Sequence, residues 1–522
     1  MSDSFASAEK TQAREIAYEA VAKLKPEATS VVEYQSRGHV IIIGDSQAIK
    51  RFGDLPKALT SEVVEYKGQA PSDDILIEGA LGQFVVTVAN QALKGDLVLD
   101  LSPTPLLPMV LKPPGYLVAD IDDSKVQASH LQQCKDELAD LVGTFEKPKY
   151  FNYDASACAH GRSGKPGCTR CIDACPAEAI ISLIDTIKVD PTRCQGGGVC
   201  ATVCPSGAIT YAYPKSKDLL THIRTLILTY LKEDQGKPDL IFVTEDEQAQ
   251  AQQILPAALV ITVEEVGSVG PEMWLSALAW GARSVRLFDL NKMAQSSRDA
   301  LDLHLEMTQN ILEASGYPAS AVLVITDPSE LITSKIMPEF DLATHAPITG
   351  KRQSFYMALD HLVAKSDNVK VDVKKMAVLP AGSIFGDVVV NKDNCTLCMA
   401  CVSACPANAL QDSSEKPMLS LVEANCLQCG ICTNTCPENA ITTTPRLLLD
   451  YEIRKKPRVL NEEEPFCCIS CGKPFATKSG ITTILEKLSG HSMFADERSK
   501  NRLKMCDDCR VRDMMEDPNS DL

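Results

Sequence analysis

Cys395, Cys398, Cys401 and Cys405 follow one another as C-x2-C-x2-C-x3-C, and Pro406 closes the run. Cys426, Cys429, Cys432 and Cys436 repeat the spacing and are closed by Pro437. Three thiolates two residues apart let one tight loop hold three corners of an iron–sulfur cubane. A fourth cysteine, turned away before a proline, reaches a second cubane. The spacing therefore assigns one [4Fe-4S] cluster to Cys395, Cys398, Cys401 and Cys436, and its sibling to Cys426, Cys429, Cys432 and Cys405. Two zinc sites built from the same cysteines are the rival reading, and the proline closing each run argues against it.

Four segments end alike, CPAEAI (175–180), CPSGAI (204–209), CPANAL (405–410) and CPENAI (436–441), so the runs come in two pairs. DVVVNKDN before Cys395 and PMLSLVEAN before Cys426 predict short strands entering the loops. This is the pattern of a two-cluster ferredoxin module of the bacterial type, and the earlier pair makes a second, less regular one. There Cys168, Cys171 and Cys175 fill the last three positions, and Lys165 stands where the first ligand belongs. Upstream lies Cys158, in CAHGRSGKPGC, whose glycines and proline allow a looped-out insertion that returns Cys158 to the vacant corner. His160 is the other candidate for that corner. With Cys204 from the partner run, the cluster would take Cys158, Cys168, Cys171 and Cys204.

The fourth site is incomplete. In CQGGGVCATVCP (194–205), Cys194, Cys200 and Cys204 are correctly placed, but Gly197 holds the second ligand position. Cys194, Cys200 and Cys175 are left to bind either a [3Fe-4S] cluster or a [4Fe-4S] cluster with one open iron. An empty, vestigial site is the bland alternative. The tail carries a different pattern. Cys468-x2-Cys471, with Gly472 behind it, and Cys506-x2-Cys509 fit a structural four-thiolate zinc site, which would supply folding energy on the order of 10 kcal/mol. A further iron centre is the alternative there, and Cys467 is a spare neighbour able to replace Cys468.

These sites need elements to hold them. The chain has 522 residues and 21 cysteines, none between Cys204 and Cys395, so the metal chemistry sits in separate blocks of a multidomain protein. Within 236–330, LIFVT, ALVITV, SVRLFDL and AVLVIT read as strands alternating with helical patterns, which predicts an open α/β sheet. No G-x-G-x-x-G follows any of these strands, and GALGQF in the N-terminal part is too weak to be a nucleotide loop. Lys351 and Arg352 are expected to be solvated, and Cys134 to be a core residue. The net charge of -17 argues against nucleic acid or an anionic membrane as partner and suits a redox protein with a basic face. The start of the chain has no apolar leader pattern and no apolar run spans a bilayer, so the expected location is the cytoplasm.

CAHGRSGKPGCTRCIDACPAEAI, CQGGGVCATVCPSGAI, YAYPKSKDLLTHIRTLILTYL and the FCCISCGKPFATKSG tail together resemble bacterial multi-cluster ferredoxin-type proteins associated with formate dehydrogenase systems. The resemblance implies electron transfer to or from a formate-oxidising complex. The middle part is similar to the delta subunit of methyl-viologen-reducing hydrogenase, without that family's cysteines.

The expected fold is multidomain α/β and α+β: an N-terminal α/β domain (1–147), a first ferredoxin module (148–214), a Rossmann-like α/β domain (215–370), a second ferredoxin module (371–450) and a zinc lobe (451–522). The expected function is single-electron transfer through four cluster sites, by a carrier rather than a catalyst, with formate dehydrogenase as partner. A cluster-bearing subunit of a flavin- or nicotinamide-dependent oxidoreductase and a redox-sensing interaction protein are the alternatives.

Overall fold

A computed structural model of the chain describes residues 2–66, 75–119, 128–234, 236–328, 337–366, 376–488, 490–494 and 496–517. At its centre are four parallel strands, Asp239–Val243, Leu259–Thr262, Ser284–Phe288 and Val322–Ile325. They lie in the order second, first, third, fourth. Their apolar runs are buried because helices cover the sheet. Pro271 begins the helix Pro271–Ala279, whose Trp274 is fully buried. Helix Ser216–Glu233 buries Leu219, Leu220, Ile223, Leu226, Ile227 and Tyr230, a single stripe at helical spacing.

The first helix, Ser2–Ala22, belongs to this core although it precedes the N-terminal sheet. Ala13 and Ala17, four residues apart, pack among the Ser216–Glu233 side chains. The Tyr18 hydroxyl accepts from the Val260 N–H at 2.7 Å and so occupies a donor of the edge strand. Residues 11–22 thus pack with the 215–370 segment.

The N-terminal sheet is also parallel, with strands Thr60–Glu65, His39–Gly44, Leu97–Asp100 and Tyr116–Val118 in that spatial order. GALGQF forms a turn between antiparallel strands Ile75–Glu78 and Phe84–Val88, and Gly79 and Gly82 adopt positive φ there. Cys134 lies in the core beneath the parallel sheet, and burial pushes its thiol up to about 11.

Each ferredoxin module pairs the strand before its first run with the strand after its second. Phe151–Tyr153 pairs with Ile209–Tyr211, and Gly386–Val390 pairs with Ile441–Leu448. In the second module a further strand, Arg458–Glu462, adds to Met418–Leu421, so its sheet takes chain from beyond residue 450. The first module sits at the carboxyl end of the central parallel sheet. Its helix Val199–Val203 packs on the turn Val266–Ser268 and on helix Gln295–Ala314. Thr202 donates to Gly267 O at 2.7 Å and Ser297 to Ala174 O at 3.2 Å. The crevice where a doubly wound sheet would take a nucleotide is met by a protein domain instead.

Candidate iron–sulfur sites

In the second module the loop geometry is set by left-handed residues on both sides of the second cysteine. Leu397 (φ 52°) and Met399 (φ 60°) flank Cys398, and Gln428 (φ 52°) and Gly430 (φ 80°) flank Cys429. Short helices Ala400–Ala404 and Ile431–Thr435 follow at once and end on Cys405 and Cys436, which are extended as a following proline requires. Two cavities result. One is lined by Cys426, Cys429, Cys432 and Cys405, the other by Cys395, Cys398, Cys401 and Cys436. The fourth cysteine of each run therefore faces the cavity of the other.

Burial, and then the neighbouring thiols, push Cys401 and Cys432 up to about 12 and Cys429 to about 11. Such thiols ionise together only if a cation compensates them. N–H groups are also aimed at sulfur, from Ala409 to Cys405, from Ala440 to Cys436 and from the Gln428 amide to Cys426, each at 3.3 Å. Four converging thiols in an apolar cavity, with N–H donors on sulfur, fit a cubane at each site.

The first module handles its irregular run with a hairpin. Gly161–Arg162 pairs with Lys165–Pro166, and Gly167 N and Cys168 N donate to His160 O and Ala159 O at 2.7 and 2.8 Å. The hairpin folds out and returns the chain to its starting point, which sets Cys158 beside Cys168. Lys165 is exposed on the hairpin. Both ring nitrogens of His160 are engaged, Nδ1 with Cys168 O at 2.9 Å and Nε2 with the Ser182 hydroxyl at 2.6 Å. His160 is thus a strut of the loop. Burial raises the Cys171 thiol, and the charges of Cys204, Cys168 and Cys158 raise it further, so these four thiols share one neighbourhood.

Cys200 is partly buried, and burial, then Cys194, Cys175 and Cys171, raise its thiol well above the ordinary range. Around the vacant corner Gly196 (φ 86°) and Gly198 (φ 69°) repeat the left-handed flanks of Cys398 and Cys429. A Cβ on Gly196 would meet the Tyr150 ring at 2.9 Å, and one on Gly198 would meet Ser268 Cβ at 2.4 Å, so packing dictates both glycines. A Cβ on Gly197 meets nothing within 4 Å, and its φ lies outside the left-handed range. The loop keeps the conformation of a ligand loop and lacks only the thiol.

In the tail, the Sγ atoms of Cys468, Cys471, Cys506 and Cys509 all lie within 4.8 Å of one another, with Cys471 and Cys506 3.7 Å apart. A tetrahedral ion about 2.3 Å from each sulfur would set them about 3.8 Å apart, whereas a cubane stands its thiolates farther apart. Among the described residues this is the one such group of His, Cys, Asp or Glu ligand atoms. Burial raises the Cys468 thiol, but N–H groups of Cys471, Cys506 and Ser470 outweigh it and bring it to about 6. Cys467 is exposed and outside the group.

Three cations escaped sequence reasoning. Lys351 and Arg352, expected in solvent, open helix Lys351–Lys365 and are inserted between the modules, and Arg170 joins them. Their signal in the sequence is faint: Arg170 stands between two ligands in CTRC, and Lys351–Arg352 follows a loop glycine. A cleft of about 670 Å³ beside the ends of Asp239–Val243 and Leu259–Thr262 is lined by Glu27, Glu245, Asp246 and Glu264, carboxylates that repel a phosphate. No helix among the described residues is long and apolar enough to cross a membrane.

Residues 394–441 match the family of 4Fe-4S dicluster domains, and residues 187–210, Gly197 included, match the 4Fe-4S binding domain family. No curated protein matches the chain. The chain is an iron–sulfur protein with ferredoxin-type 4Fe-4S domains, equipped for electron transfer.

Proposed function

We propose that the protein carries single electrons along a row of four cluster sites. Cys158, Cys168, Cys171 and Cys204 would hold one [4Fe-4S] cluster; Cys426, Cys429, Cys432 and Cys405 a second; Cys395, Cys398, Cys401 and Cys436 a third. Cys194, Cys200 and Cys175 would hold a [3Fe-4S] or open-site [4Fe-4S] cluster, and Cys468, Cys471, Cys506 and Cys509 a zinc ion. The clusters supply reversible one-electron chemistry; the protein spaces them, excludes water and directs N–H groups at sulfur.

The observation that carries this reading is the sequence of contacts between sites. Arg170, 3.5 Å from Cys168 Sγ, donates across the module boundary to Gln428 O at 3.0 Å, Gln428 bonds Cys426 Sγ, and the two cavities of the second module exchange Cys405 and Cys436. The row has an outward end, because Cys398 is exposed at a cleft of about 730 Å³ between the second module and the tail lobe. A redox protein is the natural partner, and the sequence resemblance suggests formate dehydrogenase.

The test is anaerobic purification with metal analysis and EPR. We expect about 15 or 16 iron atoms and one zinc per chain, and cluster reduction on adding formate with a formate dehydrogenase from the same cell. Iron near the level of a single module would refute the four-site row. Prompt reduction by another donor, with none by the formate system, would remove formate dehydrogenase.

A further inference from the structure

Where the two modules meet, three cations are lodged between the two inner sites. Arg170, between ligands Cys168 and Cys171, places Nη1 3.5 Å from Cys168 Sγ. Its Nη2 donates across the boundary to Gln428 O at 3.0 Å, Gly382 O at 3.2 Å and Ser383 O at 3.3 Å. Gln428 in turn directs its amide at Cys426 Sγ. Lys351 Nζ donates to Ala201 O at 2.6 Å, to Thr202 O, and to Cys204 O at 3.1 Å. The next residue, Arg352, turns to the other module and donates to Cys426 O at 2.7 Å and Ala424 O at 2.9 Å, with its guanidinium 4.4 Å from the Phe385 ring centre. The hairpin closes the same boundary. Asn434 donates to Pro166 O at 2.8 Å, and a Cβ on Gly167 would run into Ile431 at 2.4 Å.

We propose that Arg170, Lys351 and Arg352 form a cationic joint. It places the Cys158/Cys168/Cys171/Cys204 site and the Cys426/Cys429/Cys432/Cys405 site for direct electron exchange, and it holds both at a higher reduction potential than the Cys395/Cys398/Cys401/Cys436 site. Each cation ties a ligand or its neighbouring carbonyl in one module to the joint, so geometry and charge act on the same two sites. Positive charge and hydrogen bonds near the thiolates favour the reduced, more negative state. His304, buried nearby, is kept neutral first by burial and then by Lys351 and Arg170, with its pKa pushed down to about 3. Counter-charges lie at the joint as well: Glu272, buried beside Lys351 and raised by that burial, and the buried Asp387 and Glu423, both paired with Arg446. At the outer site the lysines lining the cleft, Lys416 and Lys487, are paired with Glu462 and Glu438. Exchange between the inner sites moves one electron from one to the other, with no bond made or broken.

The inference rests on both modules holding clusters, so iron and acid-labile sulfide are measured first on anaerobic full-length protein. Absent iron in either module would fail that reading and leave the joint out of account. With clusters present, a potentiometric EPR titration compares the inner sites with the Cys395 site, identified by the altered signal of Cys398→Ser. In the wild type the inner sites should reduce before it. Arg170→Gln and Arg352→Gln should each shift the partition of the electron toward the Cys395 site by about tenfold or more, at unchanged iron content. Arg170→Lys should restore most of the shift, and Asn434→Ala, which removes a boundary bond but no charge, should cause none. Reduction of the Cys395 site before the inner sites in the wild type overturns the proposal without any variant. So does an unchanged partition in both Gln variants, or an equal effect of Arg170→Lys and Arg170→Gln.

Discussion

Gly197 is one atom group short of a ligand. The sequence exposes the vacancy but not its cause, because three consecutive glycines look alike. In the structure Gly196 and Gly198 are held by positive φ and by Tyr150 and Ser268, while Gly197 is bound by neither. Gly197→Cys should therefore fold, fix iron at about 16 per chain and abolish the EPR signal of an oxidised three-iron cluster that mild oxidation gives in the wild type. An iron count near 12 with no such signal, unchanged by the substitution, would mark the site as vestigial. Gly198→Ala should behave oppositely, costing roughly 1–3 kcal/mol for the left-handed backbone and more for the clash with Ser268, read as a lowered thermal midpoint. His160 and Lys351 illustrate what spacing cannot reveal. A histidine near a vacant corner and a lysine near a glycine loop have the right chemistry for a ligand and a solvated charge, and only their partners show them to be struts.

The ligand runs and strands were legible because their signals are local: three-residue spacing, the closing prolines and apolar runs of strand length. Boundaries set by long-range pairing were not. Nothing local in residues 11–22 tells that their helix will pack on chain some 200 residues away. Likewise Arg458–Glu462 reads as tail but pairs with Met418–Leu421. This alters what losing the tail metal should do. Cys506→Ser should release about one zinc per chain and open the chain to protease from about residue 464, leaving Arg458–Glu462 protected in its sheet and the cluster absorbance intact. Release of iron in place of zinc would reassign the four-thiolate site, and cleavage near 451 would mean that the strand depends on the lobe. The close sulfur spacing there was beyond sequence, since two C-x-x-C pairs fix neither their distance nor their metal.

Across the whole molecule the modules are held by three sets of protein contacts: the first on the carboxyl end of the central sheet, both on the start of helix Lys351–Lys365 and each on the other. The four cysteine runs were legible, but the contact between the two modules was not, because repeats separated by nearly 200 residues carry no mark of contact. The surface offers a simple check on partner docking. With a net charge of -17 the protein should meet a basic face, so reduction by its partner should slow as salt rises toward 0.5 M, while reduction by dithionite, which needs no docking face, should change far less. A rate indifferent to salt would point to docking through the apolar walls of the cleft at Cys398.

The hairpin contact between Pro166 and Asn434 also has a consequence for biosynthesis. Every cysteine of the first module has been synthesised by residue 204, whereas the surface that covers Gly167 arrives only with Ile431. At about 5–20 residues per second that interval lasts on the order of 10–45 s. During it the first module stands with one face open to whatever machinery delivers iron and sulfide, and synthesis of the second module then shuts that face. Metal that entered during translation would thus reach the first module before the second, and a first module that missed it would be sealed in that state.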